Sequence, residues 1–234
     1  MNGLYIAASG AASQVAQLDT VANNLVNSNT PGFRRFVNVL QSIEGNGSPY
    51  QYAASGGTPV VDMAQGPLRE TSNPLDVAIT GPAFLIVQTP HGNAYTRNGE
   101  LEVAGDGKLL AAGQPVLGES GSTITMPAGP VAIGSDGSIN VNSLPVGKLQ
   151  LADPSHVTME PMGSSLYKPV GDQPLPPATN SQIHQGFLED PTGSDAAEMV
   201  SIMDVSRNYE SAMKSIHAID DNQNQAIQAF TLNA

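Results

Sequence analysis

The two ends of the chain carry the same pattern, in which apolar residues recur at alternating intervals of three and four. Such spacing is the a/d seam of helices that pack along one another. It predicts an N-terminal helix over residues 1–30 and a second helix of about 35 residues over 195–234. The seam positions near the N-terminus are Leu4, Ala8, Ala11, Val15, Leu18, Ala22 and Leu25. Those near the C-terminus are Ile202, Val205, Tyr209, Ala212, Ile216, Ile219, Gln223, Ala226 and Phe230.

The signals that flank both helices agree with these limits. Pro31 disfavours helical geometry in the residue before it, and Gly32 disfavours a continuation of the helix, so the first helix is expected to end by Thr30. Ser194 or Asp195 is a candidate N-cap for the second helix, with Glu198 in its first turn.

A single seam has a simpler explanation, an amphipathic helix that packs on its own domain. Two seams at opposite ends favour a different one. The C-terminal helix carries a second apolar strip, and one short N-terminal helix cannot cover both of its flanks. Uncovered apolar flanks predict assembly with other chains. The residues of the second strip are Met199, Met203, Met213 and Ile227.

Between the ends, the sequence predicts a β domain over residues 75–183. Apolar and polar residues alternate in "PLDVAITGPAFLIVQTP", and turn signals occur after it at short intervals. Asn-Gly and Asp-Gly pairs between short apolar runs predict hairpins. The predicted fold class is therefore α+β, with paired terminal helices that form a coiled-coil-like α domain and an inserted, mainly antiparallel β domain. The turn signals are His91-Gly92-Asn93, Asn98-Gly99, Asp106-Gly107, Ala112-Gly113 and Asp136-Gly137.

Residues 31–74 and 184–194 are predicted to connect the helices to the β domain. The first stretch contains "EGNGSPYQYAASGGTP", which is rich in glycine and serine and typical of an exposed or mobile excursion. Near the end of the β domain, "DQPLPPATN" is expected to be an extended connector because its prolines cannot donate to a ladder.

The charge and composition exclude several classes of partner. The net charge is −12, which argues against nucleic acid and against anionic lipid surfaces. No cysteine is present, so disulfides and thiolate metal sites are excluded. No apolar run reaches the length of a membrane span, which predicts no direct membrane insertion. The start lacks the basic and apolar regions of a cleaved signal peptide, so any export of the protein is expected to use another route.

No catalytic constellation is visible. The four histidines lie far apart and lack ligand spacing, and no nucleophile elbow or phosphate-binding loop occurs. Asp220 and Asp221 are neighbours on a predicted helix, so they point in different directions and are better explained as solvated charges. A hydrolase that uses this pair remains only a formal alternative. The sequence predicts no enzyme activity, no catalytic residue, no metal site and no cofactor.

Three ordered stretches resemble the bacterial flagellar rod and hook proteins. The first is "ANNLVNSNTPGFRR", the second is "PLDVAITGPAFLIVQTPHGNAYTRNGELEVAGDGKLLAAGQPVLG", and the third is "GFLEDPTGSDAAEMVSIMDVSRNYESAMKSIHAIDDNQ". Together they cover both ends and the middle of the chain. Hook subunits of this family are much longer, and some rod subunits lack a β domain. The size and the "ASGAASQ" start favour a proximal rod subunit, with a distal rod subunit as the alternative.

The resemblance implies a structural role in the periplasmic rod of the flagellar basal body. Subunits of this family cross the inner membrane through the flagellar type III export apparatus, without signal cleavage. They then assemble helically with themselves and with other proximal and distal rod subunits, and the rod transmits motor torque. Their terminal helices form an inner tube and the β domain an outer layer. The alternative is a secreted β binding module whose helices form a private stalk.

The stretch "ANNLVNSNTPGFRR" is predicted to be the hinge where the tube-forming helix is released into the outer layer. Phe33 would anchor the exit, and Arg34-Arg35 would meet acidic surface on an adjacent subunit. A plain helix stop is the alternative. The predicted assembly interface combines the seam residues with a set of hinge residues, namely Asn23, Asn24, Asn27, Pro31, Gly32, Phe33 and Arg34.

Overall fold

The structure of the chain, a computed structural model, describes residues 2–39, 58–171 and 173–232. Helix α1 spans Asn2–Val26 and helix α2 spans Asp195–Leu232, and every described strand lies between them in the chain. The pairings whose register is described are all antiparallel. The prediction of an α+β fold with two terminal helices and mainly antiparallel sheets is confirmed.

Helix α1 ends where the sequence places its breakers. The Thr30 N–H donates to the Asn27 carbonyl and the Phe33 N–H donates to the Thr30 carbonyl, so two successive turns replace the helix. Gly32 has φ of +67°, a conformation that glycine adopts without strain. Helix α2 begins at Asp195 and runs for 38 residues. Its first turn holds two carboxylates, which favour the positive end of the helix dipole, and its side packs against α1.

Seventeen strands are found among the described residues, most of them three to five residues long. Their bounds are β1 Phe36–Val39, β2 Thr58–Val61, β3 Leu68–Glu70, β4 Val77–Thr80, β5 Phe84–Thr89, β6 Gly92–Thr96, β7 Leu101–Val103, β8 Leu109–Ala111, β9 Gln114–Pro115, β10 Val131–Ile133, β11 Ser138–Val141, β12 Leu144–Lys148, β13 Leu151–Ala152, β14 Met159–Gly163, β15 Leu166–Pro169, β16 Gln182–Gln185 and β17 Phe187–Glu189.

The largest sheet has five strands in the order β13-β5-β6-β15-β14. Two three-stranded sheets, β7-β8-β9 and β10-β11-β12, keep the chain order and are joined by tight turns. The pairs β4-β16 and β3-β17 bring the start of the β region next to its end. This closure places residues 187–190 beside residues 66–70, far away in sequence.

Most of the predicted hairpin turns are confirmed. The turns at His91-Gly92, Asp106-Gly107, Ala112-Gly113 and Asp136-Gly137 each join two paired strands. The hairpin predicted at Asn98-Gly99 is wrong, because the strands on its two sides belong to different sheets. Gly99 instead passes so close to Val77 that an added Cβ would overlap the Val77 carbonyl oxygen. The pair is a site of close backbone approach.

Two further hairpins turn without any glycine at their centre. Asn142 and Ser143 join β11 to β12, and Ser164 and Ser165 join β14 to β15, all four with positive φ. Positive φ at both central residues is the geometry of type I′ turns, whose twist matches that of the flanking strands. Neither hairpin was predicted from the sequence, because Asn-Ser and Ser-Ser are weak turn signals.

The strands enclose one apolar core. Strand β5 contributes mainly through Leu85 and Val87, which are fully buried. The other core residues come from the whole stretch from β4 to β16, both from strands and from the segments between them, namely Val77, Ile79, Ala83, Ala94, Leu101, Leu109, Ala111, Val116, Ile124, Met126, Ile133, Ile139, Val141, Leu149, Leu166 and Ile183.

The chain divides into two compact units. Unit 1 consists of Met1–Val26, Phe36–Pro59 and Asp195–Ala234, and unit 2 consists of Asn27–Arg35 and Val60–Ser194. The glycine-rich excursion predicted from residue 44 lies almost wholly outside the described residues. In the predicted connector, residues 173–180 contain no strand, apart from an isolated bridge between Pro177 and Ala152.

Candidate assembly interface

The seam predicted on α2 is the side of that helix that is covered. Val205 is buried, and its seam neighbours on both sides are half-buried, whereas the charged residues Asp204, Arg207 and Glu210 between them are exposed. The half-buried seam residues are Ile202, Tyr209, Ala212, Ile216 and Ile219. Phe230 lies within α2, but its side chain is outside the described part of the chain.

Most of the seam predicted on α1 is covered, but two of its positions are not. Ala11 is buried, and Leu18, Ala22 and Leu25 are half-buried. Ala8 and Val15, however, are exposed, and Gln14 is half-buried. The side chain of Leu4 is outside the described part of the chain.

The second strip predicted on α2 is largely open. Met199 is 53% exposed and Met203 is 51% exposed, and Val200 beside them is 52% exposed. Met213 is half-buried. Three neighbouring large apolar side chains on the surface of one helix are unusual in a self-sufficient fold.

At the exit of α1, one asparagine holds the chain together. The side-chain Nδ2 of Asn24 donates to the Phe36 carbonyl at 2.9 Å, and the side-chain Oδ1 of Asn24 accepts the Phe36 N–H at 2.8 Å. Asn24 is buried, whereas Asn23 is exposed and Asn27 is half-buried. The Asn24 side chain therefore makes the two hydrogen bonds that a residue on a neighbouring strand would make, and it connects the end of α1 to the start of β1.

Beyond this tie, residues 27–35 pack into unit 2. The Gly32 N–H donates to the Glu189 carbonyl at 2.7 Å, and the Phe33 side chain is buried. An added Cβ at Gly32 would overlap the carbonyl of Arg97. Glycine is required here both for its positive φ and for this close approach. Pro31 is half-buried one residue earlier.

A buried charge cluster, formed by Arg34, Arg97 and Glu189, lies next to Gly32. Its three side chains are each no more than 2% exposed. Arg34 Nη2 lies 2.9 Å from Glu189 Oε1, and Arg97 Nε lies 2.9 Å from Glu189 Oε2. The Gly66 N–H also donates to Glu189 Oε1, at 2.8 Å. One carboxylate thus balances two guanidinium groups, which we call the Glu189 cluster.

Backbone carbonyls provide the remaining compensation for the second positive charge. Arg97 donates to the carbonyls of Ile79, Gly81 and Ala83, and its guanidinium stands 5.6 Å from the centre of the Phe84 ring. Burial lowers the pKa of Arg97 from its ordinary value to about 10, although the adjacent Glu189 carboxylate acts in the opposite direction. Carbonyl dipoles and the ring face stabilise a charge that solvent cannot reach.

Tyr167 contacts the Glu189 cluster through the backbone of Arg34. The Arg34 N–H donates to the Tyr167 hydroxyl oxygen at 2.9 Å. The Tyr167 ring meets Phe84 edge-on, with the ring centres 5.9 Å apart. Burial raises the pKa of the Tyr167 hydroxyl to about 12. The phenol therefore stays neutral at physiological pH, where its oxygen accepts the backbone N–H.

Arg34 and Arg35 have different environments although they are neighbours. Arg34 is enclosed and also donates to the Ala64 carbonyl, whereas Arg35 is 41% exposed and pairs with Asp62 at 3.1 Å. The Ala64 N–H, and after it Arg35, hold the pKa of Asp62 below its usual value. The intersubunit contact predicted for Arg34 therefore differs from what the structure shows, because its side chain is occupied inside its own chain.

No group of three or more histidine or acidic side chains that could hold an ion is present among the described residues. His91, His156 and His217 are exposed, and His184 places a ring nitrogen 3.2 Å from the Thr80 hydroxyl. In the described part of the chain, neither helix is apolar enough over its length to cross a bilayer.

The sequence analysis missed most of the Glu189 cluster. It named Arg34 for another role and did not name Arg97, Tyr167 or Glu189. The available signal was weak but present: Arg97 in "AYTRNG" and Glu189 in "GFLED" are charges set beside aromatic and apolar residues. Only 9 residues of the chain are Lys or Arg, so an arginine in such a setting, such as Arg97, indicates a buried partner.

Comparison with known proteins finds three family matches, each in a different part of the chain. Residues 4–34 match the family described as "Flagella basal body rod protein". Residues 78–141 match "Flagellar hook protein FlgE/F/G D1 domain", and residues 184–229 match "Flagellar basal body rod FlgEFG protein C-terminal". The Glu189 cluster takes one residue from each matched segment: Arg34, Arg97 and Glu189.

Individual relatives match the whole chain. The flagellar basal-body rod protein FlgF of Caulobacter vibrioides is 33% identical over 225 residues, which is 91% of each chain. FlgF of Escherichia coli is 32% identical over 251 residues, with both chains fully covered. The rod protein FlgG of Buchnera aphidicola is 31% identical over 256 residues, 93% of this chain and 95% of its own.

Proposed function

This chain belongs to the family of flagellar basal-body rod proteins, and from that premise we propose that it is a structural subunit of the rod. The observation that carries the proposal is the match along the full length of the Escherichia coli FlgF relative. The family is structural rather than enzymatic. Membership of this family places the protein in the rod of the flagellar basal body.

Within the rod family, we propose that the chain acts as a proximal rod subunit of the FlgF type. FlgF relatives match it over 91% to 100% of both chains. FlgG relatives also match over most of their length, so the distal rod subunit is the alternative. The chain and the Escherichia coli FlgF cover one another completely, which favours the first assignment.

We propose that the helices of unit 1 are the assembling part. In this proposal α1 and α2 pair in a coiled-coil-like manner, and their open flanks meet other rod subunits. The exposed residues Met199, Val200 and Met203 on α2, with Val15 on α1, support it. Because these side chains are already about half buried, covering the rest of each against a neighbour contributes about 1 kcal/mol. The seam residues and the hinge residues Asn23 and Asn27 are the other candidates.

The proposed domain organisation follows the chain. Residues 1–30 and 195–234 form the inner helical domain, residues 75–183 form an inserted outer β domain, and residues 31–74 and 184–194 connect them. The continuous apolar core of residues 77–183 supports an independent β domain. Export through the flagellar type III apparatus and transmission of motor torque are part of the same proposal, and they rest on the family resemblance.

One pair of variants tests the role of the helices in assembly. Met203→Asp places a charge on the open side of α2, and Leu144→Asp places the same charge on a hairpin of unit 2, where Leu144 is 68% exposed. We expect Met203→Asp to abolish motility and to reduce the chain in isolated basal bodies, with Leu144→Asp close to wild type. Both purified variants should keep the wild-type unfolding midpoint, since both sites are exposed.

The outcomes separate the proposals. A strain without this chain that still swims and builds complete basal bodies would contradict the rod role itself. If the strain without the chain is non-motile but Met203→Asp assembles normally, the rod role stands and the α2 surface is not the interface. Motility that is independent of residues 1–30 would support the secreted binding module.

A further inference from the structure

Residues Asn27–Arg35 form a short excursion that we call the tongue. The chain leaves unit 1 after Val26, contributes the tongue to unit 2, and returns to unit 1 at Phe36. The two ends of the tongue are tied on the unit 1 side by the paired hydrogen bonds between Asn24 and Phe36. The tongue is therefore a closed loop with a fixed base.

The tongue binds unit 2 through its backbone. The N–H groups of Gly32, Arg34 and Arg35 each donate to a group far along the chain. Their acceptors are the Glu189 carbonyl, the Tyr167 hydroxyl and the Thr192 hydroxyl, at 2.7, 2.9 and 3.0 Å. The tongue contains no strand that adds to a sheet ladder. Its backbone is held by these separate hydrogen bonds, as the backbone of a docked peptide can be.

The site that receives the tongue is held by other parts of unit 2. Glu189 keeps Arg97 and the Gly66 N–H as partners whether or not Arg34 is present. Tyr167 is fixed by strand β15 and by its edge-on contact with Phe84. Removal of the tongue would leave both acceptors in place.

The two arginines of the Glu189 cluster are satisfied to different degrees. Arg97 bonds to Glu189 and to three backbone carbonyls, all within Val60–Ser194. Arg34 bonds to Glu189 and to the Ala64 carbonyl, and its Nε has no hydrogen-bond partner among the described residues. The arginine that belongs to the tongue is thus the less completely bound of the two.

We propose that the tongue is a docked peptide, which binds a preformed site on unit 2 and leaves it without unfolding the β core. Arg34 is its anchor and Glu189 its receptor. Docked, it fixes the path of the chain between Val26 and Phe36 to one place on unit 2. Undocked, the same nine residues become a free loop that is still closed at its base by the Asn24–Phe36 hydrogen bonds. The inference concerns this chain's own folding and does not depend on the rod role.

Hydrogen exchange on the full chain tests this proposal. In Arg34→Met, the side chain keeps its apolar stem but loses both anchoring bonds, and Glu189 retains Arg97. Loss of one partner of a buried ion pair is a large effect, so we expect the amides of Gly32 and Arg34 to exchange roughly 100-fold faster. The amides of Val87 and Leu109, in core strands, should keep their wild-type rates.

Arg35→Met is the matched control at the adjacent residue. Its ion pair with Asp62 is partly exposed and contributes little, so exchange in the tongue should change by no more than a few-fold. Two further variants act without removing a charge. Tyr167→Phe removes the acceptor of the Arg34 N–H, and Gly32→Ala brings a methyl group against the Arg97 carbonyl. Both should raise exchange in the tongue by about ten-fold or more.

The proposal is overturned if tongue and core amides accelerate together in these variants, because the tongue would then be an integral part of the β fold. It is also overturned if Arg34→Met leaves exchange in the tongue unchanged. Should Arg34→Met fail to fold, Tyr167→Phe decides by the same two criteria.

Discussion

The two units of this molecule differ in what they bury and in how their exposed apolar side chains are grouped. Unit 2 buries a continuous apolar core and also encloses two arginines and a glutamate with their partners. In unit 1, three large apolar side chains close together on α2, Met199, Val200 and Met203, are each about half exposed. Unit 2 also exposes large apolar side chains, such as Leu144, but at positions that are separated along the chain. A group of exposed apolar side chains on one helix is typical of a surface that another chain covers.

The strongest way to break this contrast is to disturb the interior of unit 2. Glu189→Ala leaves two buried guanidinium groups without their shared carboxylate. Loss of one partner from a buried ion pair typically costs about 3–5 kcal/mol, and here two pairs are affected. We expect unit 2 to lose most of its stability in urea unfolding. Retention of the wild-type midpoint would mean that the backbone carbonyls around Arg97 suffice.

Alkaline titration examines the same interior with a smaller effect. The pKa of Tyr167 is raised to about 12 in the folded chain, against an ordinary value of 10.0. A group with a raised folded pKa contributes stability below the unfolded pKa and loses it as the pH rises through the folded pKa. The stability difference between wild type and Tyr167→Phe should therefore be constant below pH 10 and shift against wild type towards pH 12.

Arg97 titrates in the same range with the opposite sign. Its folded pKa of about 10 lies below its ordinary value, so its own contribution to stability becomes less unfavourable as the pH rises. The comparison with Tyr167→Phe keeps Arg97 in both chains and removes most of that contribution. Chemical unfolding at a series of pH values gives the difference. A difference that does not change between pH 10 and 12 would contradict the burial of the Tyr167 hydroxyl.

The smallest effect sharpens the contrast from the side of unit 1. Met199→Ser replaces an exposed apolar side chain on α2, so the free energy of unfolding of the monomer should change by no more than about 0.5 kcal/mol. Self-association at high concentration, measured by analytical ultracentrifugation, should decrease. A large loss of monomer stability would show that Met199 is part of a covered surface.

The sequence predicted the features that depend on neighbouring residues. Heptad spacing indicated both helices because every third or fourth residue shares a face. Asp106-Gly107 and Asp136-Gly137 indicated hairpins because their backbone preferences act locally. Pro31 and Gly32 likewise placed the end of α1. In each case the residues that cause the structure lie within a few positions of it.

The failures have the opposite character. Asn98-Gly99 has the local signature of a turn, but Gly99 is needed for its close approach to Val77, a contact between remote segments. Arg34 looked like a surface charge because its partner, Glu189, is far away in the sequence. Tertiary contacts decided both.

The order in which the residues of the Glu189 cluster occur along the chain has a consequence in time. Chains are made from the N-terminus, so Arg34 and Arg97 are both present long before Glu189. Until residue 189 arrives, neither arginine has a counter-charge to be buried with, and enclosing them would cost several kcal/mol for each. The Glu189 cluster in unit 2 is thus completed by one of the last residues of that unit. A chain that is only partly synthesised cannot yet enclose its two arginines.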